Sequence, residues 1–224
     1  MLEQLLSLER DLFLAINHYH TPFLDSVMML YTGFWIWVPL VLFWIGFFVY
    51  KKPRKEYLPV LLSLLLVIIC TNLLSGLMFK PFFERLRPTF HPDFMHDVKT
   101  VLGYTGGGIY GFISGHSTFA FGVASFSASL FRYTPFSLAI FSWALILVYS
   151  RLYLGVHFIS DVIPGMLLGA LIGYAVYLLY RRYLKKKNPE QKDCKESVYS
   201  GSRIKLLTVV LVSYVSLIFL IGLF

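Results

Sequence analysis

Charge is what this chain has least of. Asp, Glu, Lys and Arg make up 14% of its 224 residues, against roughly 25% in soluble domains, so a water-soluble globule of this size is excluded. Cysteine is nearly absent. Cys70 lies in an apolar run and Cys194 in a basic segment, so neither a disulfide nor thiol chemistry is expected. The start of the chain lacks the basic region of a signal peptide, and Glu3, Glu9 and Asp11 interrupt its apolar residues. Acid is also scarcer than base, with 12 Asp and Glu against 20 Lys and Arg, a formal charge of +8. In so apolar a chain this excess reads as membrane topology and contact with anionic lipid, not as nucleic-acid binding. What the chain does have is hydrocarbon: 57% hydrophobic residues and a mean hydropathy of +0.68. A single integral membrane domain is expected over residues 1–224.

A spanning helix needs about 20 mostly apolar residues. Six segments approach that length: 26–50, 57–79, 116–133, 135–154, 158–180 and 206–224. The expected fold class is therefore all-α, a polytopic membrane bundle of six transmembrane helices. The third and fourth spans are separated by a short Tyr-Thr-Pro turn, which predicts a helical hairpin with Pro135 in the first turn of its second helix. Residues 1–20 differ. Leu2, Leu5, Leu6, Leu12, Phe13 and Ile16 recur at helical spacing among Glu3, Gln4, Glu9 and Arg10, the pattern of an amphipathic helix lying at the membrane interface. No internal repeat is present.

Six spans place three loops on one side, 51–56, 131–134 and 181–205. They hold fourteen of the twenty Lys and Arg residues, leaving Arg10, Lys80, Arg85, Arg87, Lys99 and Arg151 for the other. The positive-inside bias puts the fourteen in the cytoplasm and both termini outside. The loop 80–115, broken by Pro81, Pro88, Pro92 and Gly106-Gly107-Gly108, then faces outward, and its length marks it as functional. Segment 181–205 is read as a basic cytoplasmic loop.

Polar residues cluster where the spans meet that outward face. His157 and Asp161 stand at i, i+4, a spacing that lets a carboxylate orient one imidazole nitrogen and leave the other free as a nucleophile. Ser114 is a candidate N-cap, Gly115 permits close backbone approach, and the helix start beyond them favours phosphate. His116 is placed to pass a proton to a leaving oxygen. Lys80, Arg87 and Arg151 are cations suited to phosphate oxygens. Taken singly, each of these has an ordinary structural explanation. Jointly they do not, because the positive-inside bias disfavours cations on this face. Arg85 and Lys99 read as interfacial cations that snorkel. His91, Asp93, His96 and Asp97 fit no compact metal motif and read as a solvated loop. His18 and His20 read as interfacial, Tyr31, Trp35 and Trp37 as an aromatic belt, and Asn72 and Ser75 as hydrogen-bonding between helices.

The ordered set Lys80-x6-Arg87-Pro88, Ser114-Gly115-His116 and Ser150-Arg151-x5-His157-x3-Asp161 resembles the three-part signature of the type 2 phosphatidic acid phosphatase (PAP2) superfamily. Ile113 stands where that family usually has proline. The N-terminal amphipathic helix and the segment 206–224, an extra C-terminal span, lie outside the signature. The resemblance implies a metal-independent membrane lipid phosphatase without cofactor. His157 would attack phosphorus to give a phosphohistidine, Asp161 would orient it, and His116 would protonate the leaving group and then activate water. Lys80, Arg87, Ser114, Gly115 and Arg151 would hold the phosphoryl oxygens. Implied substrates are undecaprenyl pyrophosphate, phosphatidylglycerol phosphate, phosphatidic acid or a lipid A phosphate. The implied setting is a bacterial inner membrane, with the site facing the periplasm or exterior. Two other classes share these residues: a non-catalytic lipid-phosphate binding or transport protein, and a vanadate-dependent haloperoxidase, which six apolar spans argue against.

Overall fold

The computed structural model describes residues 2–187, 199 and 201–224. Most of the expected basic loop, with Lys192, Cys194 and Lys195, lies outside the described residues. Among those described there is no strand, only one isolated antiparallel bridge, Leu86 to Tyr110. The helices are α1 (Leu2–Asn17), α2 (Pro22–Thr32), α3 (Val38–Val49), α4 (Arg54–Asn72), α5 (Lys80–Phe83), α6 (Gly115–Phe131), α7 (Thr134–Tyr153), α8 (Ile159–Lys187) and α9 (Gly201–Ile221).

Four helical segments among the described residues are long and apolar enough to cross a membrane: Arg54–Phe83, Thr134–Tyr153, Ile159–Lys187 and Gly201–Ile221. A fifth arises if α2 and the segment Trp35–Val49 count as one broken span, bent by 73°. The continuous first span expected at 26–50 is thus two pieces. Thr21 caps α2 five residues before that segment and Pro22 follows it; Gly33 ends α2, and Pro39 opens α3 after a 3-10 turn at Trp35–Trp37. The Trp37 indole donates to Tyr31 O at 2.8 Å, satisfying a carbonyl freed by the break. The segment expected at 116–133 forms α6, 17 residues long, or about 26 Å at about 1.5 Å per residue. That is short of a hydrocarbon core of about 30 Å.

The span that begins with α4 does not stay α-helical. Residues Leu73–Phe79 form a π-helical stretch before α5. Pro81 cannot donate to the carbonyl four residues back, so the ladder widens ahead of it. Ser75 and Asn72 do not bond between helices as expected. Each donates one turn back along its own helix, Ser75 to Thr71 O and Asn72 to Ile68 O, the local bond a short polar side chain makes when it points back along the ladder.

Helix α6 is the centre of the bundle. It packs on α8 through small residues: a Cβ at Gly169 would lie 2.2 Å from Thr118 O, one at Gly173 2.2 Å from Gly122 O and one at Gly165 2.9 Å from Ser114 O. Small residues that let backbones touch are the usual solution where the surroundings are as apolar as the side chains. The hairpin of α6 and α7 forms as expected, with Pro135 in the first turn of α7. Helix α9 lies against α2, α3 and α7. There Arg203 donates to Phe47 O and Tyr50 O at the end of α3, and Tyr214 Oη donates to Ile36 O at the break in the bent span.

The loop after α5 is closed at its neck. Arg87 N–H donates to Ile109 O and Gly111 N–H to Arg85 O, at 3.0 and 2.8 Å. Helix α1 sits beside this loop. Phe13, fully buried, packs on Phe94 and Phe158, and Asn17 bonds to Lys99 N, Lys99 O and Tyr153 O.

Candidate active site

Five elements meet at one end of the bundle. Helix α5 contributes Lys80, the loop Arg87, α6 Ser114 to His116, the last turn of α7 Arg151, and the turn into α8 His157 and Asp161. Arg87, Arg151, His157, Ser114 and Asp161 are each at most 2% exposed, whereas the His116 side chain is exposed. Charges are buried only where partners compensate them, so a dense polar cluster in an apolar bundle is a built site.

His157 is not on the helical face that its spacing suggested. Helix α8 begins at Ile159, and His157 sits in the turn before it, where Gly155 takes φ +74°. Asp161, on the first turn of α8, accepts the Phe158 N–H at 2.9 Å through Oδ2. A carboxylate at the third helical position that caps its own helix start is half of a capping box. The same Oδ2 stands 3.5 Å from His157 Nδ1, in ion-pair range but longer than a hydrogen bond. Burial first, then the charges of Arg87, Arg151 and Lys80, hold the His157 imidazole well below its usual range, with the Gly111 backbone acting weakly the other way. The ring is therefore neutral at physiological pH, as a nitrogen nucleophile must be.

The three cations approach from different sides. Arg87 donates to Gly107 O at 2.8 Å and Val156 O at 3.4 Å. Burial, then the nearby Arg151 charge, bring its pKa down to about 10, so it stays charged at neutral pH. Arg151 donates to Thr32 Oγ1 and to Tyr104 Oη, the latter at 3.2 and 3.3 Å, and lies over the Tyr104 ring. The break after α2 therefore sets the Thr32 hydroxyl on a site cation. Lys80 is half-buried; it, Arg87 and Arg151 are all near enough for their charges to act on His116.

Ser114 is the N-cap of α6, as its sequence position suggested. Its Oγ accepts from Ser117 N and Ser117 Oγ, leaving its own O–H to donate, and its backbone N–H bonds to Asp161 O at 3.0 Å. The start of α6, with its unpaired amides and positive dipole end, is thereby fixed to the helix that carries Asp161.

Residues 56–185 match the PAP2 superfamily. The chain belongs to this superfamily. Over 218 residues it is 41% identical to the lipid A 4'-phosphatase of Porphyromonas gingivalis, covering 96% of this chain and 91% of that protein. It is 29% identical over 210 residues to the lipid A 4'-phosphatase of Bacteroides thetaiotaomicron, covering 90% and 93%. Among solved structures it resembles the transmembrane PAP2-type phosphatidylglycerolphosphate phosphatase of Bacillus subtilis. The TM-score is 0.58 and the identity 28%, over 82% of this chain and 87% of that one. As a PAP2 protein with these relatives, the chain is a membrane phosphatase acting on a lipid phosphate.

Several residues of this PAP2 site were not singled out in the sequence. Arg85, read as an interfacial cation, instead pairs with Asp161 Oδ1 at 2.9 Å and with Glu9 at 3.2 Å. Its polar role could not be separated from that of any lone arginine near a membrane edge. Thr32 and Tyr104 carry no sequence signal for contact with Arg151. Gly106 carried one, within the glycine run: it takes φ +77°, and a Cβ there would lie 2.4 Å from Arg87 Nη1. A Cβ at Gly111 would lie 2.9 Å from Asp161 Oδ2. His91, Asp93, His96 and Asp97 form no group able to hold a metal among the described residues.

Proposed function

We propose that this chain hydrolyses the phosphate of a lipid A-type lipid through a phosphohistidine on His157. The observation that carries the substrate reading is the 41% identity, over nearly the whole chain, to a relative named lipid A 4'-phosphatase. The relative named for phosphatidylglycerolphosphate is more distant, at 28%. The convergence of Lys80, Arg87 and Arg151 on a neutral, buried His157 supports the mechanism.

In the first step a His157 ring nitrogen attacks phosphorus, and the bond from phosphorus to the lipid oxygen breaks. That oxygen leaves with a proton from His116. In the second step His116 takes a proton from water, the oxygen of that water bonds to phosphorus, and the nitrogen–phosphorus bond breaks to release inorganic phosphate. Asp161 orients the imidazole and balances its charge. Phosphoryl transfer depends mainly on positioning and charge neutralisation. Lys80, Arg87, Arg151, the Ser114 hydroxyl and the Gly115 amide at the start of α6 supply both, so the chemistry needs neither metal nor cofactor.

The chain acts as one domain. Residues 1–20 lie at the interface, 80–115 form the outward active-site segment, 181–205 a basic cytoplasmic segment into which the ends of α8 and α9 extend, and 206–224 belong to an additional span. In a six-span layout α6 is the short central member, shielded by its neighbours. The excess of basic residues on the opposite loops supports a site facing the periplasm or cell exterior of a bacterial inner membrane. The lipid tails stay in the bilayer while the phosphate meets the cations.

The test is a panel. Purified protein is given lipid A, phosphatidylglycerol phosphate, phosphatidic acid and undecaprenyl pyrophosphate in one detergent, and phosphate release is followed. The expected result is a kcat/KM for lipid A at least about tenfold above the others, a margin of about 1.4 kcal/mol in transition-state binding. A preference of that size for another lipid overturns the substrate reading.

A further inference from the structure

Asp161 is claimed from three directions. Its Oδ2 accepts the Phe158 N–H and faces His157, while its Oδ1 pairs with Arg85 Nη1 at 2.9 Å. Among the described residues, Arg85 is the only Lys or Arg within ion-pair distance of this fully buried carboxylate. Arg85 lies inside the first signature segment, Lys80-x6-Arg87-Pro88, at a position that the signature leaves open. Its guanidinium lies 4.9 Å over the Phe158 ring, and the nitrogen that reaches Asp161 also donates to Ser160 Oγ.

The other end of the guanidinium is held by helix α1. Glu9 Oε2 pairs with Arg85 Nη2 at 3.2 Å, and Glu9 Oε1 accepts the Ser160 N–H at 2.7 Å. Ser160 N is among the first amides of α8, which have no partner inside their own helix. One glutamate thus caps the helix that carries Asp161 and also fixes the arginine that charges it. The packing of Phe13 against Phe94 and Phe158 holds α1 in register for both contacts. Glu9 lies outside residues 56–185, which carry the superfamily match.

We infer that Glu9 and Arg85 are positioning residues, a relay that keeps the Asp161 carboxylate charge-paired and aimed at His157, and that helix α1 is part of the catalytic apparatus. The inference rests on the proposed role of Asp161. The charged and titratable groups facing Asp161 are Lys80 from α5, Arg85 and Arg87 from the loop and His157 from the turn, with Glu9 of α1 behind Arg85. From α6 it meets only backbone. Without Arg85 the carboxylate loses its nearest cation and takes up a proton at higher pH than before.

The test compares the full-length wild type, Arg85→Lys, Arg85→Gln, Glu9→Gln and Asp161→Asn in detergent, with a short-chain phosphatidic acid as probe. Arg85→Gln is expected to lower kcat about tenfold to a hundredfold, with KM changed less than about twofold and the acid limb of the kcat–pH profile moved to higher pH. Arg85→Lys should restore part of kcat and return the limb. Glu9→Gln keeps an acceptor for Ser160 N–H and so preserves the fold; it should lower kcat by a smaller factor with the same direction of pH shift. Combined with Asp161→Asn, Arg85→Gln should add little further loss, as coupled residues do. If Asp161→Asn is crippled while Arg85→Gln and Glu9→Gln keep wild-type kcat and pH profile, the relay is wrong and the role of Asp161 stands. Should Asp161→Asn itself be fully active, both fall.

Discussion

Replacing Gly106 by alanine tests the geometry of the phosphate site with one methyl group. The Cβ would lie 2.4 Å from Arg87 Nη1 and 3.2 Å from its Cζ, and the backbone there has φ +77°. An ordinary contact begins near 3.4 Å, so the guanidinium must retreat by about 1 Å. Strain at a positive φ adds about 1–2 kcal/mol. The retreat also weakens charged hydrogen bonds to Gly107 O and Val156 O. A displacement of about 1 Å at a reacting centre can cost about a hundredfold in rate, so Gly106→Ala should lose between about thirtyfold and a hundredfold in kcat/KM, about 2–3 kcal/mol. Gly107 is the control: a Cβ there meets nothing within 4 Å and φ is not positive, so Gly107→Ala should change activity less than about twofold. Phosphate release from a detergent-dispersed lipid phosphate, with the thermal midpoint measured alongside, reads both. A fully active Gly106→Ala, or a Gly107→Ala just as damaged, refutes the placement of Arg87.

Three further outcomes follow from the same geometry. Gly169→Leu should destabilise the bundle by about 3 kcal/mol or more, since its Cβ alone would stand 2.2 Å from Thr118 O; thermal unfolding in detergent measures this, and an unchanged midpoint contradicts the close contact of α6 with α8. His157 titrates well below its usual range when folded but near pH 6.5 when unfolded, so the unfolded state binds more protons below that pH and stability falls as pH drops through the window. His157→Gln removes that group, and its stability should be less sensitive to acid than the wild type's below about pH 6.5; equal acid sensitivity contradicts the assignment. With Lys80, Arg87 and Arg151 proposed to carry the phosphate charge, EDTA should leave phosphatase activity within about twofold while vanadate, a phosphate mimic, inhibits it; loss of activity with EDTA that is restored by a divalent metal contradicts that proposal.

Much of the candidate site could be read from spacing, because its groups sit where helices begin and end. Ser114 is an N-cap followed by glycine, and the helix begins there. Pro135 marks the start of α7. The spans were harder. Residues 26–50 are uniformly apolar, and hydropathy does not register a 73° bend whose cause is Gly33 followed by Pro39. The π-helical stretch at Leu73–Phe79 is likewise invisible to an apolar count. His157 and Asp161 have helical spacing, but the helix starts between them, so the two come together through a different geometry from the one the spacing suggested. Arg85 was missed because its partners are distant in sequence: Glu9 lies 76 residues before it and Asp161 76 after. Helix α1 was recognised as a helix, but its contacts with the site depend on tertiary packing that periodicity does not encode.

The central claim is that His157 carries the phosphoryl group. Rapid quenching of the purified protein with a phosphorus-labelled lipid phosphate, followed by mapping of the labelled peptide, tests it most directly. An acid-labile, base-stable label is expected on His157, forming and decaying fast enough to support turnover and absent in His157→Ala. Wild-type turnover by His157→Ala, or a label on another residue with the same kinetics, contradicts it.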